Sequence, residues 1–211
     1  MGNSRSKTEE QILSAALARF AHGGYAGASV QDIVDAAHVT KPTLYYYFSS
    51  KAALFQALVD SAHDERFRLM QEATKRGSTL EQQLVEILTS LFEYFRENRE
   101  LMRLAFATAF AAPGELPEGI DFLPKCRRNY EFIHALVRQG QAEGELDPTF
   151  SSEALAYGIL GLMNIYLIGS LLRPESQLNR RTAESIVRLY LQGAAQKTAN
   201  GQPLRTGRSR R

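Results

Sequence analysis

The chain has 211 residues, of which 44% are hydrophobic, and this length allows a sizeable core in one large or two small domains. Its single cysteine, Cys126, excludes an intramolecular disulfide and suits a reducing cytoplasm. The formal net charge of +2 is low for a nucleic-acid-binding protein, so any attraction to phosphate depends on where the cations lie.

The N-terminal segment predicts a first helix. It has no apolar h-region, so we expect no secretory signal there. Gly2 and Ser6 fit the loose pattern for N-myristoylation, which we interpret as a chance match. Thr8-Glu9-Glu10-Gln11 reads as a capping box that starts the helix, and Gly23-Gly24 predicts its end. The expected buried positions are Leu13, Ala16, Leu17 and Phe20.

Two short helices joined by a tight turn are predicted between Ser29 and Lys51. Ser29 caps the first, whose apolar residues recur at i, i+3, i+4 and i+7, namely Val30, Ile33, Val34 and Ala37. The second begins at about Lys41, because Thr40 offers a cap and Pro42 fits the first helical turn.

The second of these helices has an exposed polar and aromatic face. Leu44 and Phe48 share its inward side by i, i+4 spacing, so Tyr45 and Tyr46 point outward or sideways. The direction of Tyr47 stays open, because it lies between the two faces. This layout is typical of a helix-turn-helix, whose second helix enters the DNA major groove. An ordinary helical hairpin is the alternative interpretation.

The run Val39–Lys51, VTKPTLYYYFSSK, resembles the recognition segment of the TetR/AcrR family of bacterial one-component regulators. In that family a Tyr-rich helix is followed by a short Ser-containing turn and a Lys that opens the next helix. One difference is His38, at a turn position where the family often has Gly; histidine tolerates the left-handed conformation at some strain. The resemblance is specific over roughly the first sixty residues and only architectural beyond them.

The resemblance implies an all-α fold of about nine helices. A three-helix DNA-binding domain is expected in residues 1–50, and a larger helical ligand-binding and dimerisation domain in residues 51–196. Residues 197–211 are expected to form a basic, disordered tail, which we interpret as solvated rather than bound to DNA or membrane.

The resemblance also implies which residues contact DNA. Phosphate contacts are expected mainly from Ser29, Gln31, Thr40, Tyr46 and Lys51. Base-edge contacts are expected from Lys41, Pro42, Thr43 and Tyr45, since Lys41 could donate to guanine while Pro42 and the Thr43 methyl could pack on thymine. A homodimer would place two recognition helices about one turn of DNA apart, or somewhat more, on a palindromic operator.

The remaining chain predicts six further helices and no strand-like alternation. The fourth starts after Ser49 or Ser50 and belongs to both domains, so its movement would shift Lys51 and the recognition helix together. The fifth is capped by Thr79 with Gln82, and the sixth ends in a loop of Gly and Pro residues. The last three are expected at Phe122–Glu143, at about Ser152–Leu172 and from Thr182.

A small-molecule cavity is implied by the resemblance within helices five to eight. Apolar walls would come from aromatic and Met side chains, with polar groups from a few others. For each residue, ordinary core packing is the competing interpretation. The candidates are Phe92, Phe95, Met102, Phe106, Phe110, Phe122, Tyr130, His134, Met163, Asn164 and Tyr166.

The last two helices are expected to pair with their copies in a second subunit. Small residues would allow close approach there. The uncharged run Ala154–Leu172 is also long enough to span a bilayer, but we favour a helix buried in the bundle or subunit interface and expect no membrane partner. The residues assigned to dimerisation are Gly158, Gly161, Leu162, Ile186 and Tyr190.

No catalytic or metal-binding constellation is visible, so we expect neither an enzyme nor a cofactor. The four histidines are scattered, and there is no Gly-rich phosphate loop. Two other classes stay open: a helical protein-interaction module, and a small hydrolase or transferase whose reactive residue would be Cys126. The favoured interpretation is a cytoplasmic, homodimeric repressor that binds an operator and is released by a small, mostly apolar effector.

Overall fold

The computed structural model describes residues 6–112, 114–173, 175 and 177–192. Within these ranges there are nine α-helices and no β-strand, which confirms the all-α prediction. Residues Gly2 and 197–211, on which myristoylation and a basic tail were predicted, lie outside them. The helices are α1 (Lys7–Gly27), α2 (Val30–Ala37), α3 (Lys41–Tyr47), α4 (Lys51–Thr74), α5 (Leu80–Glu97), α6 (Arg99–Ala109), α7 (Leu123–Ala142), α8 (Ser152–Leu172) and α9 (Arg180–Gln192).

Several helices begin at the caps that the sequence predicts. The side chains of Ser29, Thr40, Ser50 and Thr79 each accept a hydrogen bond from the backbone N–H three residues further on. Each bond satisfies one of the amides that a helix start leaves without a partner. The starts of α2, α3, α4 and α5 are therefore encoded locally.

Three boundaries differ from the prediction. Ser6 caps α1 by accepting from the Glu9 N–H, so Thr8 lies inside the helix instead of starting it. Gly24 has a positive φ of 67° and kinks α1, which continues to Gly27. α9 begins at Arg180, because Asn179 Oδ1 accepts from the Thr182 N–H at 3.0 Å. Where several capping residues stand close together, tertiary packing selects among them.

The buried side chains form two clusters that share α4. The first cluster joins α1, α2 and α3 with Leu54, Phe55, Leu58 and Val59 of α4 and with Leu104 of α6. The second cluster joins α5, α7, α8 and α9 with Ala62, Met70 and Ala73 of α4. The side chains of α4 up to Val59 pack in the first cluster, and those from Ala62 onward pack in the second. The boundary between the clusters therefore lies inside α4, whereas the sequence predicts a domain boundary at residue 50.

The segment between α6 and α7 is also fastened to α4. Gln56 Nε2 donates to the Asp121 carbonyl at 3.2 Å, and its Oε1 accepts from the Asp121 N–H at 3.1 Å. Leu116, Ile120 and Phe122 pack on the first cluster. A displacement of this segment would therefore be transmitted to α4, whose first half packs in the same cluster as α3.

α8 is packed on one side only. Its buried residues recur at helical spacing and face the interior of the subunit. Its opposite side, which we call the α8 outer face, consists of Tyr157, Gly161, Ile165 and Leu172, all exposed. Among the described helices it is the one long and apolar enough to cross a membrane, with a mean hydropathy of 1.8 over its most apolar window.

Candidate nucleic-acid interface

The turn between α2 and α3 has the left-handed residue that the sequence predicts. His38 adopts φ 54° and ψ 41°, and its N–H donates to the Asp35 carbonyl at 3.2 Å. The Val39 N–H donates to the Val34 carbonyl at 3.0 Å, which closes the end of α2. The turn is thus held by the backbone even though glycine is absent.

α3 is anchored by two apolar side chains and presents the rest to solvent. Leu44 is fully buried and Phe48 nearly so, whereas Tyr46 is 83% exposed. Tyr45 is exposed as well. A buried anchor under an exposed aromatic face is the arrangement that a recognition helix requires.

The remaining α3 candidates lie at its N-terminus. Lys41 and Pro42 are exposed, and Thr43 is half-buried. The hydroxyls of Thr40 and Thr43 lie 2.8 Å apart, and the Thr43 N–H donates to Thr40 Oγ1 at 3.3 Å. These bonds fix both side chains before any DNA is bound, which lowers the entropy that binding would cost.

Tyr47, whose direction the sequence left open, ties α3 to α1. Its hydroxyl accepts a hydrogen bond of 3.0 Å from Ser6 Oγ, and its ring meets Tyr46 edge-on at 5.0 Å. Tyr47 is therefore a positioning residue that holds the start of α1 against α3.

On α2, the two predicted phosphate contacts are exposed. Ser29 accepts from the Asp32 N–H at 3.0 Å, so its hydroxyl proton can still be donated outward. Gln31 Nε2 donates to Asp35 Oδ1 at 2.8 Å along the helix surface.

Lys51 has a place that the sequence did not predict. Its Nζ donates to the carbonyls of Tyr25 and Ala28, at 2.9 Å each, and lies 4.3 Å from the centre of the Tyr25 ring. Two of its three N–H donors are thus used inside the domain, where they join the end of α1 to the start of α4. The predicted contact of Lys51 with a DNA phosphate stays a prediction, and one N–H of its ammonium group is left to make it.

The predicted ligand residues fall into separate groups. Phe92, Phe95 and Met102 lie inside the second cluster, with Phe106 packed on it. Two further predictions do not fit an interior cavity, because Phe110 is 77% exposed at the end of α6 and Tyr166 is also exposed. Both side chains lie at the surface of the described part of the chain.

Tyr130 and His134 form a second group at the edge between α7 and α8. Their rings stack with centres 5.5 Å apart, and His134 Nε2 lies 2.8 Å from Ser152 Oγ. The Tyr157 ring lies 5.1 Å from Tyr130. Phe122, the remaining aromatic candidate, stacks on His63 and belongs to the first cluster.

A third group contains a residue that the prediction missed. Arg66 of α4 reaches Asn164 Oδ1 at 3.4 Å and Met163 Sδ at 4.0 Å. The side chain as a whole is half-buried, but its Nε is buried and has no hydrogen-bond partner. Desolvation by burial lowers the pKa of the guanidinium from its ordinary value. The available signal was its position in an otherwise apolar line of α4 with Val59, Ala62, Met70 and Ala73.

Cys126 is not arranged as an activated nucleophile. Its Sγ lies 3.8 Å from His63 Nε2, but burial raises the pKa of the thiol. Burial, followed by the charge of Arg66, lowers the pKa of His63 to about 4. A neutral thiol beside a neutral imidazole is the opposite of a thiolate–imidazolium pair. In the part of the chain that the structure describes, no three His, Cys, Asp or Glu side chains are grouped to hold a metal.

The residues predicted for dimerisation do not share one face. Ile186 is 1% exposed in the second cluster, so its assignment to a subunit interface is wrong. A Cβ on Gly158 would lie 3.5 Å from the Tyr190 ring, and the Tyr190 hydroxyl donates to the Leu155 carbonyl at 3.1 Å. Both residues therefore pack α8 on α9 within the subunit. Gly161 opens to empty space on the α8 outer face, and Leu162 is half-buried.

The comparisons with known proteins agree with this geometry. Residues 12–58 match the family described as "Bacterial regulatory proteins, tetR family". The uncharacterised HTH-type transcriptional regulator YdgC of Bacillus subtilis (strain 168) is 28% identical over 192 residues, which are 89% of this chain and 92% of YdgC. A protein of Escherichia coli (strain K12) named "Probable acrEF/envCD operon repressor" is 29% identical over 151 residues, 67% of each chain.

The fold has solved counterparts. FadR from Bacillus subtilis, in complex with stearoyl-CoA, superposes with a TM-score of 0.71 at 19% identity, covering 88% of this chain and 98% of that one. The fold and the exposed α3 define a helix-turn-helix DNA-binding transcriptional regulator. More closely, the helix-turn-helix part of the chain, residues 12–58, matches the model of the TetR family of bacterial regulators.

Proposed function

We propose that this regulator is a homodimer that binds a palindromic operator, represses transcription from it and is released by a small, mostly apolar ligand. The observation that carries the proposal is the exposed polar and aromatic face of α3 on its buried anchor Leu44. Ser29, Gln31, Thr40, Lys41, Pro42, Thr43, Tyr45 and Tyr46 are the proposed DNA contacts, with Lys51 mainly a positioning residue.

The α8 outer face supports the dimer. Ile165 is 61% exposed and Leu172 is more exposed still, on a helix with no charge from Ala154 to Leu172. Leu189 of α9 is exposed as well. Burying such a face against its own copy would remove apolar area from water, and Gly161 leaves room for two helices to approach. We therefore propose that α8 and α9 pair with their copies as a four-helix bundle, and that no membrane is needed to cover them.

α4 supports control by a ligand. Its first half packs in the cluster that carries α3, and its second half packs in the cluster that would enclose a ligand. A ligand that prefers one position of α4 would change the spacing of the two recognition helices. Repression is supported by the name of the Escherichia coli relative, and ligand control by the stearoyl-CoA bound to the Bacillus FadR. A DNA partner is consistent with a cytoplasmic location.

Selection of binding sites from random duplex DNA tests the DNA-binding part. The expected result is a two-fold symmetric site, bound by a species whose mass from light scattering is that of a dimer. A protein in which Thr43 and Tyr45 are both changed to alanine is the matched control and should enrich nothing. No enrichment by the parent would contradict the proposal and favour a helical protein-interaction module.

Ligand control is tested on the selected operator. Fluorescence anisotropy of labelled operator, titrated with compounds, should show release by at least one apolar compound that also raises the melting temperature of the protein. Unchanged operator affinity with every compound and every cell extract would contradict ligand control and leave DNA binding standing.

A further inference from the structure

Arg66 lies among apolar helices without an acidic partner. It projects from α4 towards Met163 and Asn164 of α8, and no ion pair within 4 Å joins it to a carboxylate of the described residues. Its Nε is buried and makes no hydrogen bond. Its Nη2 makes only the long contact of 3.4 Å to the Asn164 side chain and the sulfur contact to Met163.

The acids near Arg66 on α4 are already paired with other cations. Glu65 accepts two hydrogen bonds from Arg68, at 2.8 and 2.6 Å. Asp64 pairs with Lys125 at 2.6 Å and with Arg128 at 2.8 Å. The hydrogen bonds from Arg68 hold the pKa of Glu65 below its usual range. Desolvation by burial would raise the pKa of Asp64, but the bonds from Lys125 and Arg128 outweigh it, so that pKa is lowered as well. Among the described residues of α4, neither Asp64 nor Glu65 is therefore left to neutralise Arg66.

Arginine keeps its proton in proteins, so deprotonation does not remove the charge of Arg66. The buried part of the group still costs stability, because the Nε–H is held away from water without a hydrogen-bond partner. The edge formed by Nε–H and the neighbouring Nη2–H is planar and matches the two oxygens of a carboxylate. That edge is the one whose donors are unused or weakly used.

The same part of the interior holds other unsatisfied polar atoms. Asn129 Oδ1 and Arg128 Nε, both on α7, are buried without partners. Arg128 Nη2 and Asn129 Nδ2 each reach the His63 carbonyl only at 3.4 Å. His63 precedes Arg66 by one helical turn, so these groups line the same side of α4.

We infer that the effector of this regulator carries an anionic group, a carboxylate or a comparable oxyanion, which pairs with Arg66. The Asn164 amide, 3.4 Å from Nη2, is the second polar contact, and the Met163 side chain, whose sulfur lies 4.0 Å from Nη2, is the apolar neighbour of the bound group. This inference rests on the proposed ligand control and specifies the chemical class of the ligand. It assigns Arg66 as a binding residue, a role that the sequence pattern alone does not reveal.

Matched pairs of compounds test the inference on the full-length protein. Straight-chain carboxylates from butanoate to hexadecanoate, and benzoate, are compared with the alcohols of the same carbon skeleton by calorimetric titration and thermal shift. One or more carboxylates should bind the parent about ten- to a hundredfold more tightly than the matched alcohol, the usual range for a charge-assisted contact. Arg66→Met should remove this preference and leave alcohol binding unchanged. Arg66→Lys, which keeps the charge but loses the planar edge, should retain part of it.

Arg68→Met is the matched control, because Arg68 lies on the same helix, is exposed and is paired with Glu65. It should bind the carboxylates like the parent. Without ligand, Arg66→Met should melt at the same temperature as the parent or higher, since an uncompensated charge is removed.

Several results would overturn the inference. They are equal affinity of the parent for acid and alcohol, a carboxylate preference that survives Arg66→Met, no carboxylate binding at all, or loss of folding in both Arg66 variants. The proposed function fails separately. If carboxylates bind but do not release the operator, Arg66 is a binding residue without a role in control; if alcohols release it equally well, ligand control stands and the anionic class is wrong.

Discussion

The region around α2 and α3 and the regulatory region around the second cluster differ in whether their polar groups have hydrogen-bond partners. Around α2 and α3, the caps, the His38 turn, Lys51 and Tyr47 all have partners at hydrogen-bond distance. In the regulatory part, Arg66, Arg128 and Asn129 each hold a buried polar atom without one. Thr89 of α5 is the fourth such residue among those described, and none of the four lies in residues 6–50.

This difference fits two tasks. A recognition surface works best when its side chains are fixed before DNA arrives, because less entropy is lost on binding. A site that responds to a ligand needs an interior whose stability depends on whether the ligand is present. Satisfied polar groups fit the first task, and the unsatisfied atom of Arg66 fits the second under the proposed ligand control.

The largest effect is expected from a charge placed on the α8 outer face, because it would separate the two subunits. The variant then shows whether one recognition surface binds the operator without its copy. Ile165→Arg should give a folded monomer. Its affinity for the operator should be weaker than that of the parent by about a hundredfold or more, since two linked contacts are replaced by one. Light scattering and anisotropy measure both quantities. Leu123→Arg, at an exposed apolar residue of α7, is the control and should remain dimeric. A dimer with parental affinity in Ile165→Arg would move the interface to another face.

The next effect concerns the α3 surface itself. Thr43→Ala and Tyr45→Ala should each weaken binding to the selected operator by about 1–3 kcal/mol, because each removes a contact near a base edge. Binding to random duplex DNA should change much less. If both variants bind the operator as the parent does, the assignment of these contacts to α3 is wrong.

Lys51 and Lys41 form a matched pair that separates positioning from DNA contact. Lys51→Met should lower the free energy of unfolding by about 1–3 kcal/mol, because two carbonyls lose a charged donor. Lys41→Met, at an exposed lysine, should leave stability unchanged and weaken DNA binding. Urea denaturation and anisotropy at several salt concentrations give the two readouts. A Lys51→Met protein with parental stability and a flatter salt dependence would show that phosphate contact is its main role.

The effect that is smallest at neutral pH is the pH dependence that His63 gives to the free energy of unfolding. Because the pKa of His63 is lowered from 6.5 to about 4, the unfolded chain takes up a proton between these values while the folded chain does not. The free energy of unfolding should therefore fall as the pH falls through this window, with no contribution from His63 above it. His63→Gln should reduce that slope in denaturation curves. His22→Gln, at an exposed histidine, should not; equal slopes in all three proteins would contradict the assignment.

The sequence was sufficient where structure depends on neighbours along the chain. Ser29, Thr40 and Thr79 cap through bonds that span three residues, so their pattern is legible directly. The apolar line through Leu44 and Phe48 likewise identified the buried side of α3 and, by difference, its exposed face. The same local reasoning identified the span of α8.

The sequence was insufficient where a pattern has two possible partners. Helical spacing shows which side of α9 is apolar, but not whether Ile186 meets its own subunit or a copy. An arginine in an apolar line, such as Arg66, usually extends its head group to water, so its buried Nε could not be foreseen. Lys51 reads as a surface cation until the carbonyls of Tyr25 and Ala28 are seen beside it.

The central claim is that two recognition helices are held at a set spacing and that a ligand changes it. The most direct measurement is the distance between spin labels at the exposed α2 position Ala36→Cys, in a Cys126→Ser background. Double electron–electron resonance on the operator complex should give one narrow distance, set by a recognition-helix spacing of about one turn of DNA (34–36 Å), by the position of Ala36 on α2 and by the label arms. Addition of a releasing ligand should shift it. The absence of any distance between subunits, or one distribution common to both states, would contradict the account.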